Sequence, residues 1–452
     1  MQRANRRFAL VLATCLSVAC QRTSVRPVRP AQSPLPVVAA TPQDTVTPPA
    51  PVVTPSHAFG GHRQGYAASA HFPSVGAPGL AAATAAFYDL WVARYLVPAC
   101  APGQLVVSAN AGKVIPINPS GQAHGTLTTS EAHGYGMLIV ALMAGHDPLA
   151  QERFDGLFRY YRAHPADDAP HLMAWNQVAG CKDAPGDAGS ATDGDLDIAF
   201  ALLLADAQWH SAGAIDYRGA ALALLKEALL LDVLEKSDLP SLGSDAREME
   251  PRYQHGTRTS DFMPDHFRAF ARATGDPRWQ HVADACLDLA AHVQRTCSPA
   301  GLVPDFIVNT QTEQPRPAPP HYLEGAHDGQ YAWNACRVPW RLATDWLLTG
   351  DARSLAVTQK LTSFFAQHTH GQPKAIGEGI ALTGKPLPDA DGQSLAFLAP
   401  LTVAALLPRA DQAWLDALWN ELVARQLDDD DYYGNTLKML AMLVVSGNWW
   451  MP

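Results

Sequence analysis

The sequence has 452 residues, of which 47% are hydrophobic, 8% aromatic and 17% charged, so the chain can form a large apolar core. This length fits two or three domains, or one large helical barrel. Residues 1–62 hold six of the 33 basic and one of the 43 acidic residues, which leaves 27 basic and 42 acidic residues, a formal net charge of −15. Such a charge argues against nucleic acid as a partner and is compatible with a neutral or cationic polymer.

The N-terminal segment has the order of an export signal. Three arginines in the first seven residues precede an apolar run over 8–19, and Cys20 follows. The run is too short for a conventional membrane-spanning helix. The residues LSVAC over 16–20 resemble a lipobox with Cys20 as the acylated residue, although Ser17 stands where Leu is usual. Plain secretory cleavage nearby is the alternative.

A proline-rich segment follows this signal. Residues 26–56 contain nine prolines and almost no large apolar residue except Val, a composition typical of a semi-extended tether. We therefore divide the chain into a signal over 1–20, a linker over 21–63 and one folded domain over 64–452. The prediction is an exported protein, either secreted or attached to a membrane through its N-terminal lipid alone, and monomeric.

The periodicity of apolar side chains and the helix stop signals predict an all-α domain. The predicted helices are 78–97, 130–146, 148–164, 193–211, 216–231, 261–274, 277–295, 331–349, 351–369, 393–407, 411–425 and 431–446. Helix–Gly–Asp–helix turns at 274–278 and 349–353, and a looser one at 144–148, predict antiparallel pairs. Six pairs in a ring form an (α/α)6 barrel. A helical solenoid is the alternative, disfavoured because no repeat extends beyond the turns.

Three carboxylates crowd the start of one predicted helix. Asp193, Asp195 and Asp197 lie in the segment ATDGDLDIAFALLLADAQW over 191–209. One interpretation is local, since Thr192 can cap the helix and acidic side chains suit the positive end of its dipole. The segment also resembles the signature of glycoside hydrolase family 8.

The resemblance to family 8 continues over about residues 75 to 450. The further segments, in the family's order, are TSEAHGYGM over 129–137, RTSDFMPDHF over 258–267, YAWNACRVPWR over 331–341 and YYGNTLKMLAMLVVSGNWW over 432–450. The resemblance implies an (α/α)6 barrel and an endo-acting hydrolase of β-1,4-linked glycans. Cellulose, mixed-linkage β-glucan and chitosan are the possible substrates. The mechanism that the resemblance implies needs no metal, and no cofactor is expected. The DGDLD segment resembles a calcium loop but lacks the downstream glutamate at the required spacing.

The family chemistry needs two carboxyl groups. One donates a proton to the leaving oxygen, and in an inverting enzyme the second, about 6.5 to 9.5 Å away, activates water. The resemblance implies Glu131 as the acid, and its neighbours predict a raised pKa. Asn334 stands where many family members have an aspartate base, but an amide cannot accept the proton. A branch with Asn there supplies a loop glutamate, which Glu324 in PAPPHYLEGAHDG matches, whereas Glu313 in TQTEQ has no match.

The remaining polar candidates concern substrate binding. The resemblance implies that Asp193 holds the sugar at the cleavage point, and it places Arg337 among the substrate-binding residues. Asp195 and Asp197 fall on other sides of the helix start, so we expect capping and salt bridges from them. Arg258 and Asp261 form either an ion pair between loops or part of the cleft wall.

Four aromatic residues are candidates for stacking on sugar rings, although any single one is more often part of the core. They are Tyr135, Trp175, Tyr331 and Trp333. Trp175 is favoured because it lies in the loop-like segment AWNQ rather than on a helical stripe.

Cysteine usage agrees with an oxidising compartment, and no spacing suggests a zinc site. Five cysteines follow Cys20, so at least one thiol should be free. We predict a disulfide between Cys100 and Cys181, because each lies in a loop just outside a predicted helix. Cys336 lies in a helix-like segment and is expected to be buried.

Two other functions stay open at this point. One is a non-catalytic glycan-binding lipoprotein on the same barrel, for which Asn334 would be the sign. The other is a different α/α-barrel enzyme such as a polysaccharide lyase. A lyase needs Tyr, His or Arg beside an acidic uronide, and a domain of net charge −15 suits a polyanion poorly.

Overall fold

The computed structural model describes residues 54–60, 65–109, 125–167, 169–186, 188–248, 250–388, 390 and 392–452. The predicted signal, Cys20 and most of the predicted linker lie outside these residues. In the described part of the chain, no helix has both the length and the apolar character needed to cross a membrane.

Within the described ranges, twelve α-helices form, one for each predicted helix. They are α1 (Gly76–Tyr95), α2 (Ser130–Leu142), α3 (Ala150–Ala163), α4 (Thr192–Trp209), α5 (Tyr217–Leu231), α6 (Pro264–Thr274), α7 (Arg278–Thr296), α8 (Val338–Thr349), α9 (Ala352–His368), α10 (Leu395–Ala404), α11 (Gln412–Ala424) and α12 (Tyr432–Val445).

The even-numbered helices form a closed inner ring. Helix α2 packs on α4, and the contacts continue through α6, α8 and α10 to α12, which packs back on α2. Most residues of α2, α4, α10 and α12 are buried on all sides, as expected of helices that are apolar all round. The odd-numbered helices pack outside them, each mainly on the inner helix that neighbours it in the chain, and α1 pairs with α12. The fold is the predicted (α/α)6 barrel, and the closed ring rules out the solenoid.

The predicted Gly–Asp turns join inner to outer helices. Gly275 and Gly350 follow α6 and α8 with φ of 72° and 73°, a left-handed conformation that glycine adopts without strain. Asp351 then caps α9, because its side chain accepts the N–H of Arg353 at 2.8 Å. The turns therefore reverse the chain within a few residues, as the sequence predicts.

Short antiparallel strands occupy the loops. They are β1 (Leu96–Pro98), β2 (Leu105–Val107), β3 (Thr126–Thr129), β4 (Pro165–Ala166), β5 (Ala169–Met173), β6 (Asn176–Val178), β7 (Lys182–Asp183), β8 (Val233–Leu234), β9 (Leu239–Pro240), β10 (Thr257–Arg258), β11 (Phe306–Val308) and β12 (Arg316–Pro317). Strands β3, β6 and β7 form one sheet and β10, β11 and β12 another. Strand β3 leads directly into α2, and β10 leads towards α6. Both sheets therefore lie at the end of the barrel where the inner helices begin.

The folded unit begins ahead of the predicted boundary at residue 64. Residues 54–60 belong to it, with the N–H of Phe59 donating to the carbonyl of Ala144 at 2.7 Å. The ring of His57 stacks on Trp450 with centroids 4.2 Å apart. Residues 54–60 therefore pack against the barrel, although their composition resembles that of the linker before them.

The structure joins Cys100 to Cys181 by a disulfide, the pairing put forward from the sequence. The bond ties the loop after β1 to the loop between β6 and β7. Cys286, Cys297 and Cys336 are free thiols, and Cys336 is buried.

Candidate active site

The beginnings of four inner helices bring the candidate residues to one end of the barrel. Glu131 and Asp193 are the second residues of α2 and α4. Asp261 ends a single 3-10 turn ahead of α6, and Asn334 immediately precedes the 3-10 turn that leads into α8. Each side chain thus projects from the first turn of a rigid element. The loop before α8 adds Glu324.

Arg337 lies at the centre of these groups and is almost fully buried. Its Nη1 donates to Glu131, to Asp193 Oδ2 at 3.0 Å and to the hydroxyl of Tyr135 at 3.1 Å. Its Nη2 donates to Asn334 Oδ1 at 2.7 Å. One guanidinium group therefore connects the candidate acid to the amide of Asn334.

Asn334 in turn connects to the candidate base. Its Nδ2 donates to Glu324 Oε2 at 2.8 Å, so the amide accepts from Arg337 with one atom and donates to Glu324 with the other. Glu131 and Glu324 are thereby linked through two intervening side chains. Their environments differ, because 46% of the Glu324 side chain is exposed against 21% of the Glu131 side chain.

The electrostatic environment gives Glu131 and Asp193 different pKa values. Burial raises the pKa of Glu131 to about 7, with Arg337 opposing the rise and the Asp193 carboxylate adding to it. Burial also disfavours the ionised form of Asp193, but the guanidinium groups of Arg258 and Arg337 outweigh it and lower its pKa to about 2. Near neutral pH a carboxyl that is still about half protonated therefore lies beside one that is ionised, the division that acid catalysis needs.

Arg258 contacts Asp261 and two of the candidate site residues. Its Nε lies 3.2 Å from Asp261 Oδ1, which makes a largely buried ion pair. Its Nη2 and Nη1 also reach Asp193 Oδ1 at 3.4 Å and Glu324 Oε1 at 3.8 Å, so the same side chain forms a wall of the site. Burial raises the pKa of Asp261 to about 6, against the charge of Arg258.

The other two aspartates at the start of α4 point away from the site, as expected. Asp195 accepts the N–H of Met173 at 2.9 Å. Asp197 forms a two-bond salt bridge with Arg341, at 2.9 and 2.6 Å, and contacts His266 Nε2 at 3.0 Å. The capping role considered for Thr192 is wrong. That residue lies inside α4, whose cap position is occupied by Ala191.

The structure divides the four aromatic candidates into two groups. Trp175 and Trp333 are 37% and 44% exposed, so their ring faces are available to a ligand. Stacking by Tyr135 and Tyr331 is excluded, because both are fully buried. The hydroxyl of Tyr135 binds Arg337, and the ring of Tyr331 packs on Phe365 and Phe397. Tyr331 is a core residue, and Tyr135 is a buried residue whose hydroxyl contacts Arg337 of the site.

Sequence analysis missed two buried aspartates that hold the loops of the site. Asp305 Oδ1 accepts the N–H groups of Ala332 and Ala335 at 3.0 and 2.7 Å, on either side of Asn334. Burial raises the pKa of Asp305 to about 8, opposed by these N–H donors. Asp328 makes similar contacts beside Glu324. Both residues lie in irregular loops, where no periodicity of apolar residues marks a position as buried. The sequence offers two signals that could have found them, namely the apolar FIV segment that follows Asp305 and the HDG segment around Asp328.

Among the described residues, no group of three or more His, Cys, Asp or Glu side chains is arranged to hold a metal ion. The chemistry that the arrangement supports is acid and base catalysis by two separate groups, in which a largely buried carboxyl can donate a proton and a half-exposed carboxylate can accept one from another molecule. The two exposed tryptophans add apolar faces suited to sugar rings.

The chain is similar to several known proteins. The model of glycosyl hydrolases family 8 matches residues 112–447. The chain is 41% identical over 324 residues to a beta-glucanase of Niallia circulans, covering 72% of this chain and 77% of that protein. It is 35% identical over 370 residues to an endoglucanase of Bacillus sp. strain KSM-330, covering 81% and 76%.

The solved structures show the same similarity. The apo structure of a beta-1,3-1,4-glucanase from Paenibacillus sp. X4 matches with a TM-score of 0.79 and 37% identity, over 89% of this chain and 100% of that one. A cold-adapted family 8 xylanase matches with a TM-score of 0.68 and 21% identity, over 88% and 98% of the chains, which supports the fold alone.

Proposed function

The chain belongs to glycosyl hydrolase family 8 and is an endo-acting glycoside hydrolase, and from this premise we propose that it is an inverting β-glucanase with Glu131 as acid and Glu324 as base. The observation that carries the proposal is the pair of unlike carboxyl groups linked through Arg337 and Asn334. One is largely buried and keeps its proton up to a pKa of about 7, and the other is half exposed to solvent.

In this mechanism Glu131 donates its proton to the glycosidic oxygen as the bond to the anomeric carbon breaks. The carboxylate that remains lies against the guanidinium of Arg337, which compensates the charge that develops in the transition state. The ionised Asp193 beside it accepts hydrogen bonds from sugar hydroxyls at the cleavage point, consistent with its low pKa.

Glu324 accepts the proton of the water that attacks the anomeric carbon from the opposite face. The donor of Asn334 holds Oε2, so we assign the proton to Oε1, which lies 3.8 Å from Arg258 Nη1. This division gives the amide a defined role, since it cannot itself serve as a base near neutral pH. Attack from the face opposite to the departing oxygen inverts the anomeric configuration.

The pairing of charges in the site favours a neutral glucan as substrate. Four carboxyl groups, those of Glu131, Asp193, Asp261 and Glu324, already lie against Arg258 or Arg337, so none of the four is left unpaired for the ammonium groups of chitosan. The relatives named as a beta-glucanase and a beta-1,3-1,4-glucanase support the same substrate class. We therefore propose mixed-linkage β-glucan as the preferred substrate, with cellulose as a related one.

The experiment that tests the proposal measures the release of reducing ends from lichenan, carboxymethyl cellulose, chitosan and xylan. Wild-type protein should cleave lichenan fastest, and Glu324→Gln should lose at least about 100-fold in kcat. Glu313→Gln is the matched control, because that residue lies on the same long loop and should leave activity unchanged. Full activity in Glu324→Gln would place the base elsewhere. A wild-type protein that binds lichenan without cleaving it would indicate the non-catalytic alternative.

We also propose that the protein is exported and anchored by a lipid on Cys20. The order of charged, apolar and cysteine residues in the N-terminal segment supports export, as does the disulfide between Cys100 and Cys181, a bond typical of oxidising compartments. Cys20→Ser should move the protein from the membrane fraction to the soluble fraction of the exporting cell. An unchanged membrane fraction in this variant would exclude the lipid anchor.

A further inference from the structure

The backbone around Glu324 is held by a single side chain. Asp328 Oδ2 accepts the N–H groups of Leu323 and Glu324 at 2.7 and 3.0 Å, and its Oδ1 accepts that of Gly325 at 2.8 Å. Three consecutive peptide groups, centred on the candidate base, thus converge on one carboxylate. Asp328 is only 3% exposed, although half of the neighbouring Glu324 side chain is open to solvent.

Asp328 is itself fixed to the sheet of β10, β11 and β12. Its carbonyl oxygen accepts the N–H of Phe306, the first residue of β11, at 2.9 Å. Strand β11 pairs on both sides, with β10 and with β12. The position of the Asp328 carboxylate is therefore defined by a hydrogen-bonded strand, even though the segment over 321–328 contains no helix or strand of its own.

The residue on the other side of the loop is anchored by packing. Tyr322 is buried in a small apolar cluster, with its ring centroid 5.2 Å from Tyr253 and 5.7 Å from Phe306. A Cβ atom at Gly256 would lie 1.8 Å from the Tyr322 hydroxyl, so the glycine allows this close approach. Glu324 thus stands between a packed tyrosine and a buried carboxylate.

We propose that Asp328 is a positioning residue for the base, an inference that rests on the function proposed for Glu324. The Asp328 carboxylate fixes the peptide from which Glu324 projects, and so keeps Glu324 Oε2 on Asn334 and Oε1 towards the attacking water. Without this acceptor, three backbone N–H groups lose their hydrogen-bond partner, and the loop must rearrange to bring them to other acceptors. Displacement of a catalytic group by about 1 Å costs about 100-fold in rate.

A residue that only stabilises the fold would behave differently from a positioning residue. Loss of stability lowers the amount of active protein and the midpoint of unfolding, whereas displacement of the base lowers kcat and leaves sugar binding intact. The exposed rings of Trp175 and Trp333 belong to other segments, so KM should report their stacking independently of the Asp328 loop.

The test is a double-mutant cycle on lichenan with wild type, Asp328→Asn, Glu324→Gln and the double variant. Asparagine keeps the shape of Asp328 but offers one acceptor oxygen in place of two. Asp328→Asn should lower kcat about 100-fold and change KM by less than about twofold. In the Glu324→Gln background the same substitution should cost nothing further, because the group that it positions is already inactive.

The matched control is Asp411→Asn, which removes a carboxylate that accepts one backbone N–H, that of Ala413 at 2.9 Å, at the start of α11. It should leave kcat and KM unchanged. If Asp328→Asn does not fold, Asp328→Glu keeps the carboxylate but displaces it by one methylene group, and it should show the same selective loss of kcat.

The possible failures can be told apart. An inactive Glu324→Gln combined with a fully active Asp328→Asn would overturn the positioning role and leave the assignment of the base intact. Equal losses from Asp328→Asn in both backgrounds would show a role unrelated to Glu324. Full activity in Glu324→Gln would overturn the base assignment and the positioning role together.

Discussion

The Asp193→Asn variant tests the electrostatic origin of the acid. Asp193 acts on Glu131 in two ways, as a nearby negative charge and as the acceptor of a hydrogen bond from protonated Glu131, and both raise the pKa of Glu131. Asparagine keeps the size and the acceptor oxygen but removes the charge. Arg337 and Arg258 then lose one of their carboxylate partners and act more strongly on Glu131. All of these changes favour the ionised form of Glu131.

The size of the effect follows from the contact between the groups. An adjacent opposite charge shifts a carboxyl pKa by about 1 to 3, and we take a like charge at the same distance to raise it by a similar amount. Removal of the Asp193 charge should therefore lower the pKa of Glu131 from about 7 to about 6 or below. Because the acid works only when protonated, activity is lost as the pH rises through this pKa. The basic limb of the pH profile should move to lower pH by about one unit or more.

The assay is kcat/KM on a soluble mixed-linkage glucan from about pH 4 to about pH 9 at low ionic strength, where exposed charges are screened least. Asp193→Asn should also lose activity at every pH if Asp193 binds the sugar as proposed, so the position of the limb is the informative quantity. Asp195→Asn is the control, since that side chain bonds the N–H of Met173 instead. A basic limb at pH 7 or above in Asp193→Asn would refute this explanation.

Three further variants test other parts of the structure. Glu131→Gln should be inactive. Its unfolding free energy should exceed that of wild type by about 2 kcal/mol more at pH 8 than at pH 5, because a carboxyl whose pKa is raised on folding destabilises the wild-type protein as the pH rises from its unfolded pKa towards about 7. Equal differences at both pH values, by urea denaturation, would contradict this. Removal of the disulfide in the double variant Cys100→Ser, Cys181→Ser should lower the unfolding free energy by about 4 kcal/mol, because the bond closes a loop with a separation of 81 residues. An unchanged denaturation midpoint would show that the bond does not stabilise the protein. Trp175→Ala or Trp333→Ala should raise KM about 5- to 10-fold with little change in kcat, and a loss in kcat alone would argue against stacking.

The helices of the barrel could be predicted from sequence because each buries an apolar face with a regular period. Eleven of the twelve occur within a few residues of their predicted bounds, and the Gly and Asp residues at 275 and 351 mark the turns. The first turn of α8 was less accurate. The predicted helix over 331–349 begins as a 3-10 turn at Ala335, since the buried carboxylate of Asp305 takes the N–H groups ahead of it.

The site was only partly accessible to sequence reasoning. Motifs identified the residues at helix starts, such as Glu131 and Asp193, whose positions follow from local structure. The burial of Tyr331 and the role of Asp328 depend on contacts between segments that are distant in sequence or irregular in backbone. Periodicity carries no information about such contacts, and neither does the residue type, since an aromatic residue serves equally well in a core or on a cleft wall.

The most direct test of the central claim is the anomeric configuration of the first product, observed by proton NMR during the cleavage of a mixed-linkage gluco-oligosaccharide. With Glu131 as acid and Glu324 as base acting on water, each β-linkage should release the α-anomer first, before mutarotation. Initial release of the β-anomer would show retention, and it would contradict the assignment of Glu324 as the base of a single-displacement reaction.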